Sequence, residues 1–339
     1  MRYFTPRRLS TPLVALVVLG TFTPWFSTVS RAQDPEFTQY YANLLYLNPA
    51  FAGASPRRCP RMVMSYRNQW PAMSGSFVTT AAAYDQHVES LRGGLGLLVM
   101  NDQAGRGTLA TTTVSGMYSH QQPITRKFSL RAALQVTYLQ KALDWSKLTF
   151  GDMIDPRRGF IYETQDIPRG GTVQAADFSA GLLGFSDKVY GGVAVHHLNE
   201  PNESLVLGVS RLPMKYTVHL GSVIPIQKSA RGVEASVSPN FLYRKQGEFQ
   251  QLNLGCYVLK GPLSAGVWYR GILFTDYRDA FIATLGIETD LVRFGYSYDL
   301  TVSELTPATG GAHEVSFSLQ FDCRAKRSTL RRAPNCPAF

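Results

Sequence analysis

The segment Val292-Arg-Phe-Gly-Tyr-Ser-Tyr-Asp-Leu300 alternates large apolar side chains with small, polar or charged ones. Because successive side chains of a β-strand point to opposite faces, this order predicts a strand with one apolar face and one polar face. Strands of soluble proteins usually run about 5–6 residues. This segment has nine residues, which reaches the roughly 9–11 residues that a tilted strand needs to cross a membrane.

The same alternation recurs along the chain, for example over residues 128–138, 233–244 and 315–321. An even number of strands brings both ends of a closed sheet to one side, as in bacterial single-chain barrels. About 14 such segments can be counted, and they begin near Arg61, Gly75, Leu91, Gly107, Lys127, Thr172, Lys188, Met214, Ala230, Glu248, Pro262, Thr275, Asp290 and Ala312.

The connections between these segments differ in length on the two sides. On one side they are all short, and they fall at 89–91, 123–126, 186–187, 227–229, 260–261 and 288–290. The opposite side carries long connections at 141–171, 199–213 and 303–311. Outer-membrane barrels have short periplasmic turns and longer outer loops, so the asymmetry favours a barrel with both termini on the periplasmic side.

A soluble β-sandwich with an aromatic core is the alternative fold, but a sandwich seldom needs so many long consecutive hairpins. We therefore predict an all-β fold, an antiparallel transmembrane β-barrel of about 14 strands. The barrel is expected over 61–323, after an irregular plug-like segment at 33–60 and before a basic periplasmic tail at 324–339. Arginines on the polar strand faces predict either a positive lumen or pairing with lumen acids such as Glu314 and Asp299.

Residues 1–32 have the pattern of a cleavable signal peptide. Arg7 and Arg8 precede an apolar stretch at 13–26, and the small residues Ser30 and Ala32 come before Gln33, as at a signal-peptidase site. The apolar stretch is shorter than the roughly 20 residues of a spanning helix, which favours cleavage over a retained anchor. No later apolar run is long enough for a helical span, which excludes a helical inner-membrane protein.

The net charge of +10 is concentrated partly in the predicted tail, which carries Arg324, Lys326, Arg327, Arg331 and Arg332. Exported proteins rarely meet nucleic acid, so we expect none as a partner. The tail is either solvated or free to bind an acidic protein.

Three of the four cysteines, Cys59, Cys323 and Cys336, flank the predicted barrel. Export permits disulfides, and a bond among these three is expected, although the sequence does not choose the pair.

The segment Gln33-Asp-Pro-Glu-Phe-Thr-Gln-Tyr-Tyr-Ala-Asn-Leu-Leu-Tyr-Leu-Asn-Pro-Ala-Phe-Ala-Gly53 is rich in aromatic residues and too irregular for a strand. It predicts a packed segment that tucks against or into the barrel. A partner-binding surface is the other interpretation, and it also covers the long loop around Trp145. The predicted partner-binding residues are Asp34, Pro35, Phe37, Gln39, Tyr40, Tyr41, Trp145 and Asp152.

The chain resembles the PorP/SprF family, outer-membrane proteins of the type IX secretion and gliding-motility machinery. The resemblance spans 33–339. It rests on the segment at 33–53 and, in order, on the motifs at 66–71 (YRNQWP), 93–96 with 99–102 (GGLG, VMND), 143–152 (LDWSKLTFGD) and 335–339 (NCPAF). It implies a non-enzymatic barrel in the outer membrane that supports export or surface anchoring of cargo with C-terminal secretion signals. The implied partners are periplasmic and outer-membrane machinery components, cargo proteins and the lipid membrane.

The sequence contains no recognisable catalytic motif, and no cofactor or metal is expected. Adjacent strand residues such as His196 and His197 point to opposite faces, and Asp144, Asp152 and Asp155 do not have the spacing of an EF-hand. The alternative function is a channel for small hydrophobic or nutrient molecules, whose N-terminal plug would carry a sequence like Asn48-Pro-Ala50.

Overall fold

A computed structural model describes residues 33–55, 59–165, 171–205, 208–229, 232–271, 278–302 and 309–321. The predicted signal peptide and basic tail lie outside these residues. In the described chain, no helix has the length and apolar character needed to cross a membrane.

Seventeen strands follow one another along the described chain. They are β1 (Arg61–Gln69), β2 (Phe77–Val88), β3 (Gly93–Ala104), β4 (Leu109–Pro123), β5 (Ser129–Leu143), β6 (Ile154–Asp155), β7 (Gly159–Phe160), β8 (Thr172–Phe185), β9 (Val189–His196), β10 (Lys215–Ser222), β11 (Ile224–Ser229), β12 (Gly232–Gln246), β13 (Phe249–Lys260), β14 (Leu263–Gly271), β15 (Arg278–Glu288), β16 (Val292–Thr301) and β17 (Ala312–Gln320). Short helical turns lie at Leu44–Leu47, Pro49–Phe51, Glu89–Leu91, Trp145–Lys147 and Gly151–Met153.

The strands other than the β6–β7 hairpin form one antiparallel sheet that closes on itself. Closure is made by the first and last strands, with Arg61 opposite Gln320 and Gln69 opposite Ala312. β10 and β11 are separated only by Val223 and both pair with β12, so they are two parts of one spanning strand. The barrel therefore has 14 strands, as predicted, and the predicted starts lie within three residues of the observed ones.

The two faces of the wall are inverted relative to a soluble protein. Large apolar side chains point outward, and Leu134 and Val267 are each 69% exposed. Arg67, Arg131 and Glu314 point inward and are almost fully buried. An outer surface of this kind is stable only against lipid, so the alternation of the sequence marks a membrane-facing wall and a polar lumen.

The two ends of the barrel differ in their connections. At the end where β1 begins, the strands are joined by the tight links 89–92, 124–128, 186–188, 261–262 and 289–291; we call this the short-turn end. The opposite end carries the connections 144–171, 197–214 and 302–311, and we call it the long-loop end. Two connections at the long-loop end, 105–108 and 247–248, are nevertheless short.

Residues 33–55, which we call the plug segment, lie inside the lumen. Asp34 contacts Lys215 and Gln246, which stand at the long-loop end of β10 and β12. Ser55 contacts Gln320 at the short-turn end. The segment therefore runs through the lumen from one end to the other. Its first described residues lie at the long-loop end, opposite the start of β1, and the periplasmic placement of both termini stays a prediction. Strand periodicity carries no information on how an irregular segment is threaded.

Candidate functional site

The plug segment is buried along almost its whole length by the barrel wall. Phe37, Tyr41, Ala50 and Phe51 are at most 2% exposed. The chain turns at Asn48, whose side-chain oxygen accepts a hydrogen bond of 2.9 Å from the Ala50 backbone nitrogen. Such a cap satisfies backbone groups that an irregular buried segment would otherwise leave without partners.

A charged network holds the middle of the plug segment. The backbone nitrogens of Thr38 and Gln39 donate to the Glu314 carboxylate over 2.6 and 3.1 Å. Arg67 pairs with Glu314 at 3.4 Å and with Asp299 at 2.9 Å. Buried charges require such partners, so the pairing interpretation of the lumen arginines holds at this point.

Arg270 extends the same network across the wall. Its Nη1 lies 2.9 Å from Asp299, and its Nε pairs with Asp279. Arg244 stands 3.5 Å from Glu36 of the plug segment. The network therefore ties the plug segment to strands far apart in the ring.

Asn48 fixes the plug segment to the wall at β8 and β9. Its Nδ2 donates to the backbone oxygens of Leu182 and Val193 over 3.1 and 3.2 Å. Both strands carry glycine at the contact, and a Cβ on Gly181 would stand 2.1 Å from the Asn48 Oδ1. Only glycine permits an approach this close.

A second close contact lies nearer the short-turn end. Arg131 donates to the Ala52 and Gly53 backbone oxygens over 2.9 and 3.1 Å. Gly53 has a φ of +65°, and a Cβ there would stand 2.6 Å from Gly94. The carboxylate of Asp85 accepts from the Gly53 nitrogen at 3.0 Å and pairs with Arg61 at 2.8 Å.

A polar cluster at the long-loop end, which we call the upper cluster, holds the start of the plug segment. Asp34 pairs with Lys215 and lies 2.9 Å from the Nε2 of His197. The other ring nitrogen of His197 lies 3.0 Å from Asp177. Lys215 also stands 4.5 Å over the ring of Tyr46. The cluster thus joins the plug segment to β8, to β10 and to the residue that follows β9.

The upper cluster sets the ionisation of its members. Burial would raise the pKa of Asp34, but the charges of Lys215 and His197 outweigh it and hold the pKa well below its usual value. Burial lowers the pKa of His197, but Asp34 and the hydrogen bond to Asp177 raise it to about 9. The contact between Asp34 and His197 is therefore an ion pair at neutral pH.

Aromatic rings fill the lumen beside the charged network. Tyr40 packs edge-on against Trp268 with ring centres 4.9 Å apart, and Tyr41 packs against Tyr257 at 4.7 Å. Rings in this geometry attract one another beyond the area they bury. The segment predicted as a partner surface is therefore packed inside the barrel: Phe37, Gln39, Tyr40 and Tyr41 are buried, and Asp34 and Pro35 lie at the lumen mouth. Partner binding by these six residues stays a prediction.

The loop 144–165, which we call the long loop, lies outside the lumen and has its own local order. Trp145 stacks on Phe150 with ring centres 6.1 Å apart and planes 14° apart. Asp152 accepts hydrogen bonds from Thr164 and Gln165, which brings the two arms of the loop together. Trp145 and Asp152 thus belong to an exposed, structured loop, where partner contact stays a prediction.

The three carboxylates whose spacing does not fit an EF-hand serve separate turns of this loop. Asp144 caps Ser146, and Asp155 accepts from the backbone of Arg157 and Arg158. Within the residues that the structure describes, no three His, Cys, Asp or Glu side chains are grouped so that they could hold a metal ion.

The cysteines differ in state. Cys59 is disulfide-bonded, and Cys256 on β13 is a free thiol. Cys323 and Cys336 lie outside the described residues.

Sequence reasoning did not single out Asn48, Arg131, Asp34 with His197, or the glycines of β8 and β9 as one site. The charged residues of the strands occupy the alternating polar positions, and this pattern predicts that they face the lumen. Their partners on the plug segment are more than 20 residues away in sequence, and no local pattern connects them.

Residues 29–319 match the family described as "Type IX secretion system membrane protein PorP/SprF". A search of curated proteins gives no match.

Two solved structures are similar to this chain at low identity. The Ralstonia pickettii toluene transporter TbuX is 11% identical over 82% of this chain and 93% of its own, with a TM-score of 0.47. The P. putida toluene transporter TodX is also 11% identical, over 82% of this chain and 93% of its own, with a TM-score of 0.44.

Proposed function

This chain belongs to the PorP/SprF family of type IX secretion system membrane proteins, and on that premise we propose that it works without catalysis as a support for exported cargo. It is an outer-membrane β-barrel component of that system. In this proposal it assists export of proteins with C-terminal secretion signals or anchors them at the surface. The same role would serve gliding motility.

The observation that carries the proposal is the family match over 29–319, and the filled lumen is consistent with it. The plug segment is bound at both ends and in the middle by charged contacts to the wall, through Asp34, Glu314 and Arg131. A barrel filled by its own chain offers its ends and its outer wall to partners, and its lumen offers no wide passage. The filled lumen argues against a wide open pore, and because the channel alternative also has an N-terminal plug, it is the family match that favours the secretion role.

We further propose that the short-turn end faces the periplasm and the long-loop end faces outward. Bacterial barrels place their short turns in the periplasm and their longer loops outside. Machinery components would then meet the short-turn end, and surface cargo would meet the long loop, where Trp145, Phe160 and Tyr162 lie outside the barrel.

Deletion of the gene, followed by proteomics of the medium, the cell surface and the periplasm, tests the proposal. We expect proteins with C-terminal secretion signals to disappear from the surface or to accumulate in the periplasm. Re-expression of the intact chain should restore them. Intact secretion combined with failed uptake of a small hydrophobic molecule or a nutrient would replace the proposal with the channel function.

A further inference from the structure

The outer wall of the barrel carries an apolar groove across β4, β5, β8, β9 and β10, which we call the wall groove. It consists of two open depressions of about 480 and 470 Å³ that share Leu182 and Val193. Small-molecule sites typically occupy about 300–1,000 Å³, so the wall groove has room for a ligand of that size.

A pair of glycines lowers the floor of the wall groove. Leu182 and Val193 are 46% and 45% exposed on the outer face, and alternation along β8 and β9 puts Gly184 and Gly191 on that same face. The two glycines lie opposite each other, so the floor at this level is backbone without side chains. Ala180, also on the outer face of β8, continues the low floor toward the long-loop end.

Large apolar side chains form the flanks of the wall groove. Leu130 and Leu220 stand beside the two glycines on the neighbouring strands β5 and β10. The ring of Phe128 lies over the glycine of β8, where an added Cβ would come within 2.8 Å of the Phe128 Cζ. His219 also borders this depression, but its ring is turned to Asn48 in the lumen. The flanks therefore offer a hydrocarbon chain contacts on both sides.

The wall groove reaches the level at which the wall leaves the membrane. Tyr118 borders the second depression, and its hydroxyl donates to the Leu91 backbone oxygen in the β2–β3 turn over 2.8 Å. Tyrosine is typical of the interface between hydrocarbon and water. Gly184 is two residues from the β8–β9 turn at 186–188. A chain that lies in the groove therefore has one end beside the short turns.

The short turns next to the wall groove are basic. The β4–β5 turn carries Arg126 and Lys127, and the β8–β9 turn carries Lys188 beside Asp187; all four residues are exposed. The two turns are neighbours, because β5 and β8 pair up to the ends that the turns join. Three basic residues against one acidic residue give these turns a net charge of +2.

The far side of the short-turn end does not share this charge. The β13–β14 and β15–β16 turns, with the residues that flank them, carry Lys260 and Arg293 against Glu288 and Asp290, a net charge of zero. Arg293 also pairs with Glu288 at 2.8 Å. The surplus positive charge is therefore local to the wall groove, where it complements an anionic group.

We infer that the wall groove binds an anionic phospholipid, with an acyl chain in the two depressions and the phosphate at the basic turns. The outer wall faces lipid hydrocarbon, and basic residues near a membrane surface attract anionic headgroups. A neutral hydrocarbon would fill the groove but would leave Lys127 and Lys188 without a counter-charge. The placement of this lipid in the periplasmic leaflet rests on the proposed orientation of the barrel; the binding chemistry does not.

Native mass spectrometry of the full-length barrel in detergent tests the binding chemistry. The probes are phosphatidylglycerol, which is anionic, and phosphatidylcholine, which has no net charge, with identical acyl chains. We expect phosphatidylglycerol to bind about tenfold more tightly, as a few exposed basic residues allow. Equal retention of the two lipids would overturn the inference.

Filling the wall groove provides a matched pair of variants. Ala180→Phe places a ring in the second depression and should weaken phosphatidylglycerol binding about three- to tenfold. Ala283→Phe is the control, because Ala283 is exposed on the outer face of β15, away from the groove. A heat-shift assay on gels verifies that both barrels are folded. Equal binding by the two variants would mean that lipid adheres to the wall at large, and the inference would fail.

Charge reversal tests the basic turns separately. Lys127→Glu combined with Lys188→Glu should remove most of the preference for phosphatidylglycerol over phosphatidylcholine. Lys147→Glu combined with Lys260→Glu makes the same change of charge at exposed residues elsewhere and should keep the preference. A preference that falls equally in both double variants would reflect the total charge of the barrel and would contradict a local headgroup site.

Photo-crosslinking locates the lipid. A benzophenone amino acid is placed at Leu182 or at Val267, which is exposed on the outer face of β14, in vesicles with equal amounts of the two phospholipids. We expect phosphatidylglycerol adducts to exceed phosphatidylcholine adducts at Leu182 and to equal them at Val267. Equal adducts at both positions, or a polypeptide adduct at Leu182 in cells, would overturn the inference.

The lipid site and the proposed function fail independently of each other. If secretion fails on gene deletion but the barrel shows no selective lipid binding, the proposed function survives and this inference fails. Selective binding that Ala180→Phe weakens, together with intact secretion on deletion, leaves the opposite outcome.

Discussion

At the scale of single residues, the buried charges around Arg67 set the stability of the lumen. Arg67 is 2% exposed. Its guanidinium forms ion pairs with the carboxylates of Asp299 and Glu314, which have almost no contact with solvent. Removal of one member of a buried charged group leaves the others uncompensated, which costs more than the pair contributes when intact.

Substitution Arg67→Ala should therefore lower the free energy of unfolding by about 3–5 kcal/mol. Urea unfolding in lipid vesicles, followed by tryptophan fluorescence, measures the change. Arg157→Ala in the exposed long loop is the control and should change stability by less than about 0.5 kcal/mol. Equal stability of the two variants would contradict the role of Arg67 in the network.

Glycine at position 181 is required by the contact with Asn48. Gly181→Ala places a methyl group 2.1 Å from the Asn48 Oδ1, so we expect a loss of about 1–3 kcal/mol of stability as the plug segment is displaced. Gly116→Ala is the matched control, since its Cβ would meet nothing within 4 Å. The same unfolding assay compares them, and a neutral Gly181→Ala would mean that the contact relaxes freely.

The upper cluster should respond to pH in two directions. His197 has a pKa raised to about 9. The stability that its charged form gives to the folded cluster is therefore fully present below about pH 6.5, the ordinary histidine value, and is lost as the pH rises through 9. Asp34 has a lowered pKa. The stability that its carboxylate gives to the folded cluster is therefore present above the ordinary pKa of aspartate and is lost as the pH falls well below that pKa. Lys215 and Asp177 are the other charged groups of the cluster.

We therefore expect the start of the plug segment to loosen above about pH 9. A fluorescent probe on a cysteine introduced at Gln33 reports this mobility, after replacement of the free Cys256 by serine. His197→Gln should abolish the alkaline transition and leave the acidic one. An unchanged alkaline transition in His197→Gln would assign it to another group.

At the scale of elements, the plug segment and the long loop have different roles. The plug segment lacks regular structure beyond short turns, and its backbone groups are satisfied by the wall at Glu314, Asp85 and Arg131. The long loop is held by its own contacts, including those of Asp152 with Thr164 and Gln165. The barrel should therefore fold without the long loop.

Replacement of 144–165 by a short glycine-serine linker tests the loop. We expect unfolding free energy within about 1 kcal/mol of the natural chain, because surface loops tolerate such changes. We also expect loss of surface-exposed cargo, measured by proteomics of protease-shaved cells. A shuffled loop of the same length is the control for bulk. Retention of cargo in the replaced variant would exclude the long loop as the cargo contact.

At the scale of the whole molecule, the described barrel has polar residues inside and apolar residues outside. The polar wall residues of the lumen face the plug segment, so the outer apolar wall provides the affinity for lipid and the plug segment seals the interior. The channel alternative would require an open or opening passage.

Single-channel recording in planar bilayers tests whether the plug segment closes the lumen. The full-length barrel should show no stable large conductance, because the plug segment fills the lumen. Arg67→Ala combined with Asp34→Ala should produce intermittent conductance, since both removals release the plug segment while the strands stay paired. Stable large conductance of the natural chain would contradict a sealed scaffold.

The sequence by itself determined the strands and their order. Alternation at 292–300 and its repeats fixed which side chains face lipid, because a strand has a period of two whatever surrounds it. The short turns indicated that consecutive strands pair with each other, because two strands joined by a short link most simply form an antiparallel hairpin. These local constraints located the 14 strands, and they placed Arg67, Arg131 and Glu314 on lumen faces.

The tertiary structure alone decided what fills the lumen and where a strand pairs on one side only. Whether Asp34 meets His197 or solvent depends on the threading of an irregular segment, which no periodic pattern encodes. The break at Val223, after which β11 pairs only with β12, depends on where β9 stops relative to its neighbour, which is a matter of register between strands. Both are relations between distant parts of the chain, and close packing in a closed barrel selects among them.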